Sequence, residues 1–206
     1  MKRVIVYCEG PTEETFVNRV LAPFLYPHEI YLRAPSCNGV SKYSIIRRDL
    51  NALCKSDPSA IVTTMLDYYA LPSDTPRSNS GEGGDIYQKV QRIEAAIQED
   101  IGAPNLIPNL MVHEFEALLF SKPECFSYCG LNERAIRQLC SIRDEFDSPE
   151  HINNNPSTTP SKRILAIYPT YTKPLDGYNI AKDIGIDLMR QECQHFNAWV
   201  ERLTQL

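Results

Sequence analysis

Hydrophobic and polar positions change period along the chain, and the changes mark alternating strands and helices. Val4 to Cys8 is an unbroken β-rich apolar run, which predicts a strand buried on both faces. It stops at Glu9-Gly10-Pro11-Thr12, and Pro11 and Thr12 open a helix with Phe16, Val17, Val20 and Leu21 at helical spacing. Glu29 to Arg33 is a weaker second strand. Tyr43 to Leu53 reads as an amphipathic helix with Ile45, Ile46, Leu50 and Leu53 inward. Ala60 to Leu66 is the next buried strand and runs into Asp67-Tyr68-Tyr69. Pro72 to Asp85 is dense in Pro, Ser, Gly and Asp, the composition of a mobile surface loop. A helix at Ile86 to Glu99 and a strand at Leu106 to Val112 follow, and that strand ends in His113-Glu114-Phe115-Glu116 before a short helix.

The remainder predicts a helix at Glu133 to Asp144, a polar linker from Ser148 to Pro160, a short helix from Ser161 to Ile167 and a last helix from Leu188 to Leu203. Phe196, Trp199, Val200 and Leu203 share one face of that last helix. Strand–helix alternation predicts an α/β fold with a mostly parallel sheet of about four strands, joined by right-handed crossovers and flanked by helices. Residues 1–147 are the expected core, and 148–206 a helical C-terminal extension packed on it.

The 206 residues suit one domain, and a hydrophobic fraction of 43% argues against disorder. No apolar run approaches the roughly 18–20 residues of a membrane span, and no signal-peptide core fits before Glu9, so a cytoplasmic protein is expected. Seven cysteines form no CxxC or zinc-ribbon pattern and are expected as reduced thiols, Cys37 among them. Cys125 and Cys129, four apart, would share a helix face. Glycine is sparse, at 9 residues, and neither G-x-G-x-x-G nor G-x-x-x-x-G-K-[ST] occurs, which disfavours dinucleotide binding and P-loop chemistry. G-x-S-x-G is absent too.

Three predicted strands exit into an acid: Glu9, Asp67 and Glu114. In an open parallel sheet those exits share the edge where ligands bind. Carboxylates planted there pay in desolvation and mutual repulsion, and a divalent cation relieves both. Hard oxygen ligands suit Mg²⁺ or Mn²⁺ rather than zinc. Glu13, one helical turn beyond Glu9, can face the same ion or simply favour the helix N-terminus. Glu116 joins Glu114 as a metal or general-base candidate, while His113 is a weaker candidate and also fits a structural, hydrogen-bonded histidine. H-E-x-x-H would need His at position 117, which is Ala117, so a zinc protease is rejected. Lys162, in Pro160-Ser161-Lys162-Arg163, starts a helix and can hold phosphate oxygens or lie on a solvated basic face. Lys42, Arg47 and Arg48 are further candidates for backbone contact, and Tyr68 and Tyr69 for stacking on bases. The net charge, 21 basic against 26 acidic residues or −5, works against nucleic-acid affinity.

Glu9-Gly10-Pro11-Thr12-Glu13 after a first strand resembles the E-G-x-T-E opening of Toprim-type domains, notably those of OLD-family nucleases. Three further blocks, Thr64 to Pro72, His113 to Phe120 and Ser161 to Ile164, resemble the DUF4276 family, bacterial proteins with a Toprim-like fold. The resemblance extends to Glu192-Cys193-Gln194-His195-Phe196. It implies a Toprim-like, metal-dependent phosphodiesterase acting on DNA or RNA, with Glu9 and Glu13 matching the family's glutamates. Glu114 or Glu116 would then supply a missing ligand, and Lys162 the late basic role. It also implies a partner ATPase in phage defence or DNA repair. The usual second motif, D-x-D, is here Asp67-Tyr68-Tyr69, without the second Asp. That absence keeps open a non-catalytic module that binds a partner ATPase or a nucleotide. A phosphoryl-transfer enzyme for a small molecule is the third reading.

Overall fold

In the computed structural model, which describes residues 1–35, 39, 42–78, 83–153 and 157–206, the first apolar run forms β1 (Lys2–Cys8). Val4, Val6 and Cys8 enter one hydrophobic cluster and Ile5 and Tyr7 a second, as the two-residue period of a strand requires. β1 lies between β2 (Ile30–Arg33) and β3 (Ile61–Asp67), parallel to both. β4 (Leu106–Ile107) and β5 (Leu110–Met111) each pair parallel with β3. Among the described residues the sheet therefore has five strands, in the order β2-β1-β3-β4 with β5 also on β3, where the apolar pattern predicts about four.

The extra strand is the single predicted run from Leu106 to Val112, divided in two. Pro108 has no N–H to give a ladder. Asn109 turns to a side chain instead: Thr64 Oγ1 donates to its carbonyl at 2.6 Å and accepts its N–H at 2.9 Å.

Helices cover both faces. α3 (Tyr43–Ser56) and α4 (Ile86–Ile101) bury Ile46, Leu50, Val90, Ile93 and Ile97 against Ile5, Tyr7, Val62 and Leu66. On the other face, α1 (Pro11–Phe16) passes through a π turn, Val17–Leu21, into α2 (Ala22–Leu25). Phe16, Val17, Val20 and Leu21 are all buried there, as their spacing predicts. The same cluster takes side chains from α5 (Glu133–Asp144), α6 (Pro160–Ile167), α7 (Tyr178–Ile184), α8 (Ile186–Glu192) and α9 (Gln194–Thr204).

The predicted final helix is two helices, α8 and α9, broken at Cys193, whose backbone is extended. Its apolar face nevertheless packs as expected, and Trp199 Nε1 donates to Thr63 Oγ1 at 2.9 Å. The stretch expected as a polar linker departs further. Its first part makes a 3₁₀ turn, Pro149–His151, in which Glu150 is only 2% exposed. Both Glu150 oxygens accept amides at the start of α9, from His195 at 2.9 Å and Phe196 at 3.0 Å, satisfying donors that a helix N-terminus leaves open. Glu94 of α4 accepts the Leu110 N–H at 2.8 Å and meets His195 Nε2 at 2.9 Å. Burial opposes charge on His195, but the hydrogen bond and charge of Glu94, with Glu150 behind, hold its pKa above the ordinary value.

Cys125 and Cys129 lie on a 3₁₀ turn, Pro123–Cys129, not an α-helix. At three residues per turn they do not share a face, and each faces its own acid, Asp183 and Asp176 respectively. Cys37, residues 79–82 of the expected loop and residues 154–156 of the expected linker lie outside the described residues. No described helix is long and apolar enough to cross a membrane.

Candidate functional site

Because β1, β3 and β5 run parallel, their C-terminal ends meet at one edge of the sheet. Glu9 follows β1, Asp67 ends β3, and Glu114 follows β5. Backbone amides stitch these exits together. Glu9 Oε2 accepts the Asp67 N–H at 3.2 Å, and Asp67 Oδ1 accepts the Phe115 N–H at 2.9 Å. Glu114 reaches α6, where its Oε2 accepts the Ser161 N–H at 2.9 Å.

Two further acids complete the cluster. Glu13 Oε2 accepts the Gly10 N–H at 3.0 Å, the carboxylate half of a capping box. Glu116, on the 3₁₀ turn Phe115–Ser121, is 1% exposed. Its Oε1 meets Lys173 Nζ at 3.0 Å, whereas its buried Oε2 has no hydrogen-bond partner.

Electrostatics bind these groups into one unit. Burial raises the pKa of Glu9 against the pull of the Asp67 amide and Lys173. Burial, with the charges of Glu9 and Glu116, pushes Glu13 up to about 7. Asp67 is raised well above the carboxylate range by burial and then by Glu13, Glu9 and Glu116. Glu116 is raised by burial although Lys173 opposes it. Burial disfavours charge on Lys173, but Glu116, Asp67 and Glu114 outweigh it and raise its pKa.

Lys173 is the site residue that the periodicity missed. It lies in Tyr171-Thr172-Lys173-Pro174, which has no apolar period, and opens a π turn, Lys173–Gly177. The traceable signal is Gly177: a Cβ there would stand 2.9 Å from the Tyr171 hydroxyl and 3.2 Å from the Phe115 ring. A larger residue there would have to displace Tyr171 and Phe115, whose amide holds Asp67. Lys162, by contrast, is exposed on α6, one residue beyond the amide that holds Glu114. Arg47 pairs with Asp100 and Arg48 with Asp49, each at 2.8 Å, so part of the expected basic stripe is neutralised in place; Lys42 is exposed.

His113 is buried in a left-handed conformation, φ +66°, and burial pushes its pKa down to about 4. A neutral ring there is a poor counter-charge. Its Nδ1 has no hydrogen-bond partner, and its ring stacks on Tyr69.

Among the described residues, no three His, Cys, Asp or Glu side chains are grouped so as to hold a metal ion in this conformation. The acids hold amides and Lys173 instead. Their chemistry still suits a hard divalent cation: the donors are oxygens, they repel one another, and Glu116 Oε2 is a buried acceptor without a donor. Side-chain rotation would have to bring them together.

A family model described as "Domain of unknown function (DUF4276)" matches residues 8–204. Among solved structures, the C-terminal region of the Burkholderia pseudomallei OLD protein matches with a TM-score of 0.50 at 14% identity, over 98% of this chain and 97% of that one. The C-terminal region of the Xanthomonas campestris pv. campestris OLD protein matches with a TM-score of 0.44 at 13% identity, over 98% of each chain. The first of these shows a shared fold, a mostly parallel α/β sheet flanked by helices. No curated protein matches.

Proposed function

The chain belongs to the DUF4276 family, and we propose that it is a divalent-metal-dependent nuclease hydrolysing phosphodiester bonds in DNA or RNA. The observation that carries this reading is the burial of Glu13, Asp67 and Glu116, with Glu9 half-buried beside them, in one field at the C-terminal edge of the sheet. In this reading Glu9, Glu13 and Asp67 hold Mg²⁺ or Mn²⁺, and Glu114 or Glu116 completes the set. When bound, the ion supplies an activated water and counter-charge for the phosphate oxygens. The protein's own part is orientation and field. The Asp67 amide aims Glu9, the Phe115 amide aims Asp67, and low solvent access keeps their charges unscreened. In this reading Lys173, which reaches Glu116, would face charge developing on the phosphate, and exposed Lys162 would meet the nucleic-acid backbone. A partner ATPase belongs to the same proposal and would contribute positive surface to a chain whose net charge is −5.

The test is incubation of plasmid, single-stranded DNA and RNA with Mg²⁺ or Mn²⁺, beside an EDTA control. Expected is metal-dependent cleavage that falls at least about 100-fold in Glu9→Ala and Asp67→Ala, and similarly in Lys173→Ala. A second reading, a non-catalytic module that binds a partner, is favoured by the amides that already engage Glu9, Asp67 and Glu114 and by the missing second Asp after Asp67. Silence in every cleavage arm together with thermal stability indifferent to Mn²⁺ would favour it over the nuclease.

A further inference from the structure

Rings flank the acids at both strand exits. Tyr68 and Tyr69 follow Asp67, and His113 precedes Glu114. Tyr69 lies over His113 with ring centroids 5.1 Å apart and planes 16° from parallel, and Tyr68 is 5.5 Å from Tyr69. His113 is 6% exposed but Tyr69 is 41% exposed. With one face on His113 and Tyr68 tilted 51° against it, Tyr69 still leaves part of its surface open to solvent. The stack is also braced in the backbone, because the Tyr69 N–H donates to the His113 carbonyl at 3.2 Å. His113 itself sits at a left-handed φ of +66°, a conformation that histidine adopts more readily than most side chains. A tyrosine so placed gives up little freedom when a flat ligand settles on it.

We propose that Tyr69, backed by His113, is a stacking platform for an unpaired nucleobase of single-stranded nucleic acid whose adjoining phosphate lies toward the strand exits, where Lys173 and a divalent cation held by the acids would face it. This deepens the nuclease reading and rests on it for the class of ligand. A base inside a duplex has both faces stacked and cannot use the platform, so the geometry selects single strands, frayed ends or flipped bases. Stacking reads the π-face that every base possesses. DNA and RNA therefore offer the same chemistry here.

The test is binding rather than cleavage. Fluorescein-labelled oligo-dT, oligo-U and a short duplex would be titrated by fluorescence anisotropy, in EDTA and in Ca²⁺, with wild type, Tyr69→Phe, Tyr69→Leu and Tyr69→Ala. A single strand carrying one 2-aminopurine would report stacking by quenching. Expected is roughly 5- to 100-fold weaker single-strand binding in the Leu and Ala variants. Quenching should be lost in both, affinity retained within about twofold in the Phe variant, and duplex binding unmoved. The DNA and RNA arms say which strand the site prefers. Tyr69→Leu keeps bulk over His113, so the test survives if the Ala variant fails to fold. Single-strand affinity unchanged in Tyr69→Leu overturns the platform, and so does an equal loss on duplex. Absence of wild-type binding to any strand overturns it as well. Metal-dependent cleavage indifferent to Tyr69 removes the platform and leaves the nuclease reading standing. Binding that depends on Tyr69 without cleavage in any arm does the reverse.

Discussion

Among the described residues, the acids at the start of α9 and those at the sheet edge are treated in opposite ways. At the start of α9, Glu150 gives both oxygens to backbone amides, and Glu94 serves a backbone amide and a histidine. At the sheet edge, Glu13, Asp67 and Glu116 sit in one another's field, and one Glu116 oxygen has no hydrogen-bond partner. The first group spends its charge on docking a helix. The second crowds carboxyl groups whose ionisation burial and mutual repulsion oppose, and a stable structure keeps such a cluster only at a cost. Burial alone therefore does not single out an acid as a candidate for function; burial without full satisfaction is what separates the sheet-edge group from the one at α9.

The largest effect should come from breaking the satisfied group. Glu150→Ala leaves the His195 and Phe196 amides buried without an acceptor and should cost about 3 kcal/mol or more, read by chemical denaturation. Glu13→Gln should do the opposite at the sheet edge. It removes a charge whose pKa is pushed up to about 7, while its amide oxygen can still accept the Gly10 N–H. At pH 8 without metal it should stabilise the protein by roughly 1–3 kcal/mol and weaken stabilisation by Mn²⁺. Calorimetry with and without Mn²⁺ checks both outcomes.

pH separates the two groups further. Glu13 has a folded pKa raised above 4.5, so its share of stability is full below that value and is lost as pH rises to about 7. His195 is also raised, from 6.5, so its share is full below 6.5 and is lost as pH climbs through its folded value. Glu13→Gln should flatten the lower window, His195→Gln the upper, and Mn²⁺ should shrink only the lower. A pH series of melting temperatures resolves the two. The smallest effect is expected from Gly177→Ala, which crowds Tyr171 and Phe115 and should cost about 1–2 kcal/mol. Its effect on Mn²⁺ affinity would show how far the Lys173 turn supports the acids.

The contrast also explains what was legible in the sequence. Glu9, Asp67 and Glu114 are visible because each follows an apolar strand, and parallel pairing does the rest. Lys173 is not, since a π turn between helices leaves no period to follow. Glu94 reads as the polar face of α4 and Glu150 as linker, because a carboxylate that will be buried against backbone amides looks like any surface acid until the chain has folded. Cys193 breaks the last helix invisibly, the apolar spacing running straight through it. The split of the fourth strand was signalled by Pro108 all along, although the apolar run around it masked the interruption.

Trp199 has a use beyond packing. It is the chain's single tryptophan, it is buried, and its indole N–H is tethered to Thr63 on the strand that ends at Asp67. The molecule thus carries one indole fluorophore, excitable to the red of its tyrosines, at the seam between its last helix and the central strand. Emission from that single reporter follows the closing of the seam as the protein refolds, with no dye attached and no second indole to confuse the signal.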